Sequence, residues 1–223
     1  MRRSKPHSTE QGLTLIESLA AIVIFGVAVV AISPPIVLSM AARVRAHRAE
    51  QALNLAQGEI ERVRLLVEQG RKSSEKTLTI TEFTNLLPPK GTNLNVVPTS
   101  FENCGASPVA SASTTGCTVD IDRNGIIEKM DFVVQSFRTA SQCQGDNNDV
   151  PVGLNMVVRV YTVASVEAYP GSLVPKQGSL AFSGLTTSGP TPLAVLDIPI
   201  VRSDLGSSSL AYQNLLNGNG NCP

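Results

Sequence analysis

Three patterns of apolar and polar positions divide the chain. From Leu13 to Met40 nearly every residue is apolar or small, and the single charged side chain is Glu17. A run of this length supplies the about 20 apolar residues that a membrane-spanning helix needs. Pro34-Pro35 interrupts it. Proline removes a backbone donor and clashes with the preceding turn, which predicts a kink or local unwinding at Pro34. The alternative is a helix end at Ser33, and the helical pattern that resumes at Ile36 favours the kink. Farther on, Ala52, Leu55, Ala56, Ile60, Val63, Leu66 and Val67 recur at helical spacing and predict one face of an amphipathic helix. Glu59–Arg62 and Glu61–Arg64 are spaced to pair on its polar side, and Gly70 is its expected stop.

After Gly70 the periodicity changes. Pro88, Pro89, Gly91 and Pro98 mark residues 85–98 as a loop, and the Ser, Ala and Thr between Gly105 and Gly116 mark another. Strands are predicted at Cys117–Ile121, Met130–Arg138, Asn155–Val166 and Leu193–Val201, with Gly178–Phe182 a weaker candidate. In the third of these, Val158, Val160 and Thr162 alternate against Val157, Arg159 and Tyr161. Pro199 assigns the fourth to an edge or a bulge. Strands without interleaved helices predict an antiparallel sheet. The expected fold is α+β: a long N-terminal helix whose second half packs on that sheet. The segments are then 1–12, a leader; 13–42, the membrane or filament-core helix; 43–70, the amphipathic helix; and 71–223, a β-rich head.

The start of the chain discriminates among three kinds of N-terminal segment. A secretory signal peptide has an apolar core of about 7–15 residues, shorter than this run. An ordinary anchor explains the length of the run, but neither Gly12 before it nor Glu17 inside it. The sequence Gly12-Leu13-Thr14-Leu15-Ile16-Glu17, behind a basic leader, resembles the processing site of the type IV prepilin family, pseudopilins included. That resemblance implies cleavage after Gly12 by a prepilin peptidase and N-methylation of Leu13. It also implies that Glu17 meets the terminal amine of a neighbouring subunit, and that a pilin-like fold is kinked at Pro34. The implied partners are other pilins or pseudopilins through the helix, the inner-membrane assembly platform and the membrane itself. Leu13 departs from the family's usual phenylalanine. The stretch 48–67 resembles I-type minor pseudopilins and the pseudopilins of cyanobacterial polysaccharide secretion, whose use in gliding filaments implies a role in motility. A membrane-anchored extracytoplasmic β-domain that binds a ligand without assembling is the alternative.

Charge changes this picture little. Lys+Arg and Asp+Glu are both 18, so nothing points to nucleic acid as a partner. Arg2, Arg3 and Lys5 before the apolar run balance Arg43, Arg45 and Arg48 after it, and the positive-inside rule does not set the orientation. The cysteines do more. Cys104, Cys117, Cys143 and Cys222 all lie in the head, where an oxidising compartment would give two disulfides in one of three connectivities. A short local loop, Cys104–Cys117, and a clamp on the tail, Cys143–Cys222, form the favoured set; four buried thiols are the alternative.

One stretch carries metal-ligand spacing. Asp120, Asp122, Asn124, Glu128 and Asp131 fall at positions 1, 3, 5, 9 and 12 of a calcium loop, with Gly125 at 6 and the carbonyl of Ile126 at 7. Asn124-Gly125 is equally a two-residue hairpin turn, which would set Asp120 against Lys129 and put Val119, Ile121, Ile126 and Met130 on one face. Calcium use among related secretion pseudopilins tips the resemblance towards the ion, and no other cofactor is implied. The acidic cluster Asp146–Asp149 has no ligand spacing and reads as a solvated loop. Catalysis finds no purchase: the two histidines are His7, in the leader, and His47, on the helix, so the head has none for a Ser-His-Asp site.

Overall fold

The computed structural model describes residues 15–70, 78–105, 109–144, 150–176, 189–203, 206, 208–220 and 222. It comprises two compact units, Met1–Val44 and Arg45–Pro223. Helix α1, Leu15–Gln69, contributes to both.

In the first unit α1 is apolar on all sides. Its most apolar 18-residue window has a mean hydropathy of 2.7 and is 0% buried within the protein. Leu15, Ile16, Ile22, Phe25 and Val30 are all mostly exposed. A helix that is hydrophobic all round belongs in a core or in a bilayer, and by length and composition this one is able to cross a membrane. The helix is continuous across Pro34 and Pro35, with no unwound residue there and no end at Ser33.

In the second unit α1 is amphipathic along the predicted face. Ala52, Ala56, Ile60, Val63 and Val67 are buried, flanked by Leu55 and Leu66. Both expected ion pairs form, Glu59–Arg62 and Glu61–Arg64, each at 2.6 Å. Gly70 ends the helix at φ 59°, and its N–H donates to the Leu66 carbonyl at 3.0 Å. A left-handed C-terminal residue is a common glycine role.

The face of α1 packs on a five-stranded sheet of order β1-β2-β3-β4-β5. The strands are β1 Ser100–Glu102, β2 Thr115–Val119, β3 Phe132–Gln144, β4 Val150–Thr162 and β5 Ala194–Val201. β2 to β5 pair antiparallel as expected, but β1 joins β2 in parallel, so the sheet is mixed. β5 lies at one edge, the position that Pro199 indicates. The sheet is buried on both faces. Towards α1 lie Phe132, Val134, Leu154, Met156, Val158, Val160, Ala194 and Ile200. On the other face Val133 and Tyr161 pack with Val163, Val166 and Leu173.

Three short helices complete the unit: α2 Ile80–Leu86, α3 Val163–Ala168 and α4 Ser208–Leu216. α2 is started by a capping box between Thr79 and Glu82, and it drives Phe83 and Leu87 into the core. Arg62 ties the end of α2 to α1, donating from Nη1 to the Leu86 carbonyl at 3.1 Å. β4 stops at Thr162, whose hydroxyl accepts from Ser165 N and turns the chain into α3; the expected strand 155–166 therefore ends early. The candidate strand 178–182 and the cluster 146–149 lie outside the described residues.

Arg159 is buried at 3% exposure on the face away from α1. Its Nη atoms donate to the carbonyls of Leu94 and Val96, and its guanidinium lies 5.2 Å from the centroid of the Phe137 ring. Gln135 Nε2 donates to Ser113 O at 2.7 Å and to Val96 O at 3.3 Å. Together these side chains hold the 94–97 loop against the sheet. Burial pulls the Arg159 pKa down, with Tyr161 and Asp197 offsetting part of the effect. Burial also pushes the Tyr161 phenol up to about 12, and its hydroxyl donates to the Val174 carbonyl at 3.1 Å. Gly91 is needed beside this cluster, since a Cβ there would stand 2.4 Å from Phe137 Cδ2.

Both disulfides are formed in the favoured connectivity, Cys104–Cys117 and Cys143–Cys222. The first ties the loop after β1 to β2. The second fixes the C-terminal segment to β3.

Candidate functional site

Two regions carry the residues that the sequence singles out. Glu17 lies in the first turn of α1. Ser18 Oγ donates to the Leu15 carbonyl at 2.9 Å in the same turn. Glu17 is exposed on the apolar N-terminal stretch of α1, which the described residues leave uncovered. Gly12 and Leu13 lie outside the described residues.

The second region is the 120–131 loop. Ladder pairing between β2 and β3 ends at Val119↔Phe132, which leaves twelve residues between the strands. The two-residue hairpin is therefore not formed. Asp120 does not face Lys129 across a ladder. Ile126 and Met130 are exposed at 64% and 50%, whereas Val119 and Ile121 pack on the core. A turn at Asn124-Gly125 would pair Val119 with Met130; instead Val119 pairs with Phe132, which is buried in the core, and the intervening residues coil on themselves.

That coil is held by its own carboxylates. Asp120 accepts from Arg123 N and Gly125 N, both at 2.7 Å. Asp122 accepts from Asn124 N at 3.2 Å and from Asn124 Nδ2 at 3.0 Å. Asn124 Oδ1 accepts from Ile126 N at 2.7 Å. Asp131, 4% exposed, accepts from Ile121 N at 3.1 Å and Glu128 N at 2.7 Å. Arg123 and Gly125 take positive φ, 58° and 82°, to close the curve. The Gly125 N–H is the main cause that holds the Asp120 carboxyl below the usual carboxylate range.

The result gathers Asp120, Asp122 and Asp131, with one carboxylate oxygen of each within 4.8 Å of the others. Three such groups repel one another unless a cation or a proton intervenes. Glu128 is not part of that group; position 9 of such loops commonly reaches the ion through water. Hard oxygen donors on a loop with this spacing suit calcium rather than a transition metal.

Residues 7–33 match the family described as the prokaryotic N-terminal methylation motif. With that motif at the head of a long apolar helix, and that helix continuing onto a mixed sheet, the chain is type IV pilin- or pseudopilin-like. The motif suggests processing by a prepilin peptidase and assembly with other pilins. The helix is consistent with a single-pass membrane anchor. No curated protein and no solved structure matches the chain.

Proposed function

We propose that the protein is a minor pilin or pseudopilin. It serves as a structural subunit of a type IV pilus-like or type II secretion-like filament for polysaccharide export, with the gliding motility that such export supports. The observation that carries this reading is the methylation motif placed directly on an apolar helical stretch that the described residues leave uncovered. The peptidase cuts between Gly12 and Leu13, and Leu13 is methylated. The helix then bundles with those of other subunits, Glu17 is neutralised by a neighbour's terminal amine, and Pro34 bends the helix within the bundle. Ala49, Leu53 and Gly58 add contacts to neighbouring helices. The polysaccharide assignment draws on the likeness of residues 48–67 to pseudopilins of that system. The two disulfides support a head beyond the inner membrane, in the periplasm or in the extracellular filament, where thiols oxidise. In the native host, Gly12→Ala is expected to leave the leader attached; normal maturation of that variant defeats the reading.

The 120–131 loop holds calcium in this reading. Asp120, Asp122, Asn124 and Asp131 offer side-chain oxygens, Ile126 its carbonyl and Glu128 a water-bridged carboxylate. The ion would relieve the repulsion among the three aspartates and fix the connection between β2 and β3. Thermal unfolding of the full chain in detergent, with calcium and with chelator, checks this. At a hundredfold excess over Kd a bound ion adds about 2.7 kcal/mol, or about 5–10 °C for a unit of this size. Asp120→Asn removes the shift. No shift at millimolar calcium, or an equal shift in the variant, rejects the ion.

A further inference from the structure

β3 is bulged between Arg138 and Ala140, leaving Thr139 out of the ladder with β4. Such bulges re-aim side chains. Here the 89–91 segment docks along the bulged stretch. Arg138 N donates to Pro89 O at 2.9 Å, and Gly91 N donates to Arg138 O at 2.8 Å, which sets Lys90 beside Arg138. From the other side comes the C-terminal segment, anchored by the Cys143–Cys222 bridge. Gly220 passes so close that a Cβ there would stand 3.1 Å from the Ser141 carbonyl oxygen. These pieces line a part-open pocket of about 180 Å³ formed by Lys90, Arg138, Thr139, Ser141, Gly218 and Gly220, among others.

The charge in this cavity is one-sided. Arg138 Nη1 donates to Ser141 Oγ at 3.1 Å, while its Nε is buried and has no hydrogen-bond partner. Among the described residues neither Arg138 nor Lys90 has a carboxylate within ion-pair distance. Burial pulls the Arg138 pKa down, yet a guanidinium stays protonated in proteins. A half-buried, incompletely bonded cation is costly unless an anion completes it. About 180 Å³ is room for a small group such as one sugar residue. The hydroxyls of Thr139 and Ser141 and the backbone at Gly218 and Gly220 give polar walls suited to ring hydroxyls.

We infer that this cavity binds a carboxylate-bearing sugar residue, with Arg138 and Lys90 on the carboxylate and Thr139 and Ser141 on the ring. The inference rests on the polysaccharide reading for the source of the sugar; the binding itself does not depend on filament assembly.

Calorimetric or NMR titration of the full chain in detergent with glucuronate, glucose and glutamate tests it. Glucuronate is expected to bind with a Kd of about 1 mM, and glucose at least about tenfold more weakly. Arg138→Gln should weaken glucuronate about tenfold or more, as expected when a charge-assisted bond is lost. Lys90→Gln, at an exposed position, should weaken it severalfold with no change in Tm, which keeps the test intact if the Arg138 variant misfolds. Added salt should weaken glucuronate binding. No glucuronate binding, equal binding of glucose, or undiminished binding by both variants overturns the inference. Tighter binding of glutamate than of glucuronate also overturns it and assigns the cavity to an acidic side chain of a protein partner. Glu17→Ala should leave glucuronate binding unchanged, so a failure of filament assembly and a failure of this site can be told apart.

Discussion

Glu17→Ala is expected to remove the subunit from the proposed filament while leaving it folded and inserted in the membrane. The expectation follows from the isolation of this carboxylate. It stands in the first turn of a helix whose other described side chains through Ala42 carry no charge, and the most apolar stretch of that helix is left uncovered by the described residues. A charge in such a segment is costly in lipid and persists where a partner exists. Alanine makes insertion easier, so loss of the protein from the membrane is not the expected failure. What is lost is the counter-charge for a neighbour's terminal amine. Stranding one member of a buried pair costs about 3–5 kcal/mol, about a hundredfold or more in association. The measurement is the ratio of subunit in sheared filaments to subunit in membranes, with glucuronate binding or head unfolding as the control for folding. Normal incorporation of the variant contradicts the assembly role of Glu17.

Removing the Cys143–Cys222 bridge is expected to be the largest single loss of stability in the head. The bridge closes a loop with a sequence separation of 79 residues, against 13 for Cys104–Cys117. Chain-entropy arguments give about 4.5 kcal/mol for the long loop and about 3 for the short one. Domains of ordinary stability have only about 5–15 kcal/mol in total. The bridge also fastens the segment after α4 to β3, where Gln142 Nε2 donates to Asn219 O at 2.5 Å and Cys222 N donates to Ser141 O at 3.3 Å. Urea unfolding of the Cys143→Ser/Cys222→Ser variant should show a much lower midpoint than the Cys104→Ser/Cys117→Ser variant. A reversed order, or a loss below about 1 kcal/mol for the long loop, would mean that the tail is not held by this link.

The parts of the fold that sequence made legible are those with a long or repeated signal. The apolar run, the 52–67 face, the Glu–Arg pairs and the strands at β3, β4 and β5 all rest on periodicities that tertiary packing preserved. The parts that were not legible are short. β1 has three residues and owes its parallel pairing to β2 rather than to any local pattern. α2 announces itself only by Thr79 and Glu82, just before the loop that Pro88, Pro89 and Gly91 mark. At Thr162 the β-branched run continues through Val163 and Val166, so propensity favours a strand where the hydroxyl cap starts a helix. α4, rich in serine at its start, has little periodicity to read.

The candidate sites divide in the same way. Gly12, Leu13 and Glu17 are legible because a processing motif is local by nature. The 120–131 loop was ambiguous because Asn-Gly turns and calcium loops share residues, and the register Val119↔Phe132 excludes the two-residue hairpin. The Arg138 cavity was invisible in sequence. Its walls come from residues 90, 138–141 and 218–222, brought together by a bulge, a docked loop and a disulfide.

The central claim is that the mature chain begins at a methylated Leu13 and is built to assemble. Intact-mass analysis of the protein recovered from its native membrane tests this most directly. The account predicts a chain lacking residues 1–12 and heavier by one methyl group at its new N-terminus. A chain that retains the leader, or one that starts elsewhere, contradicts it.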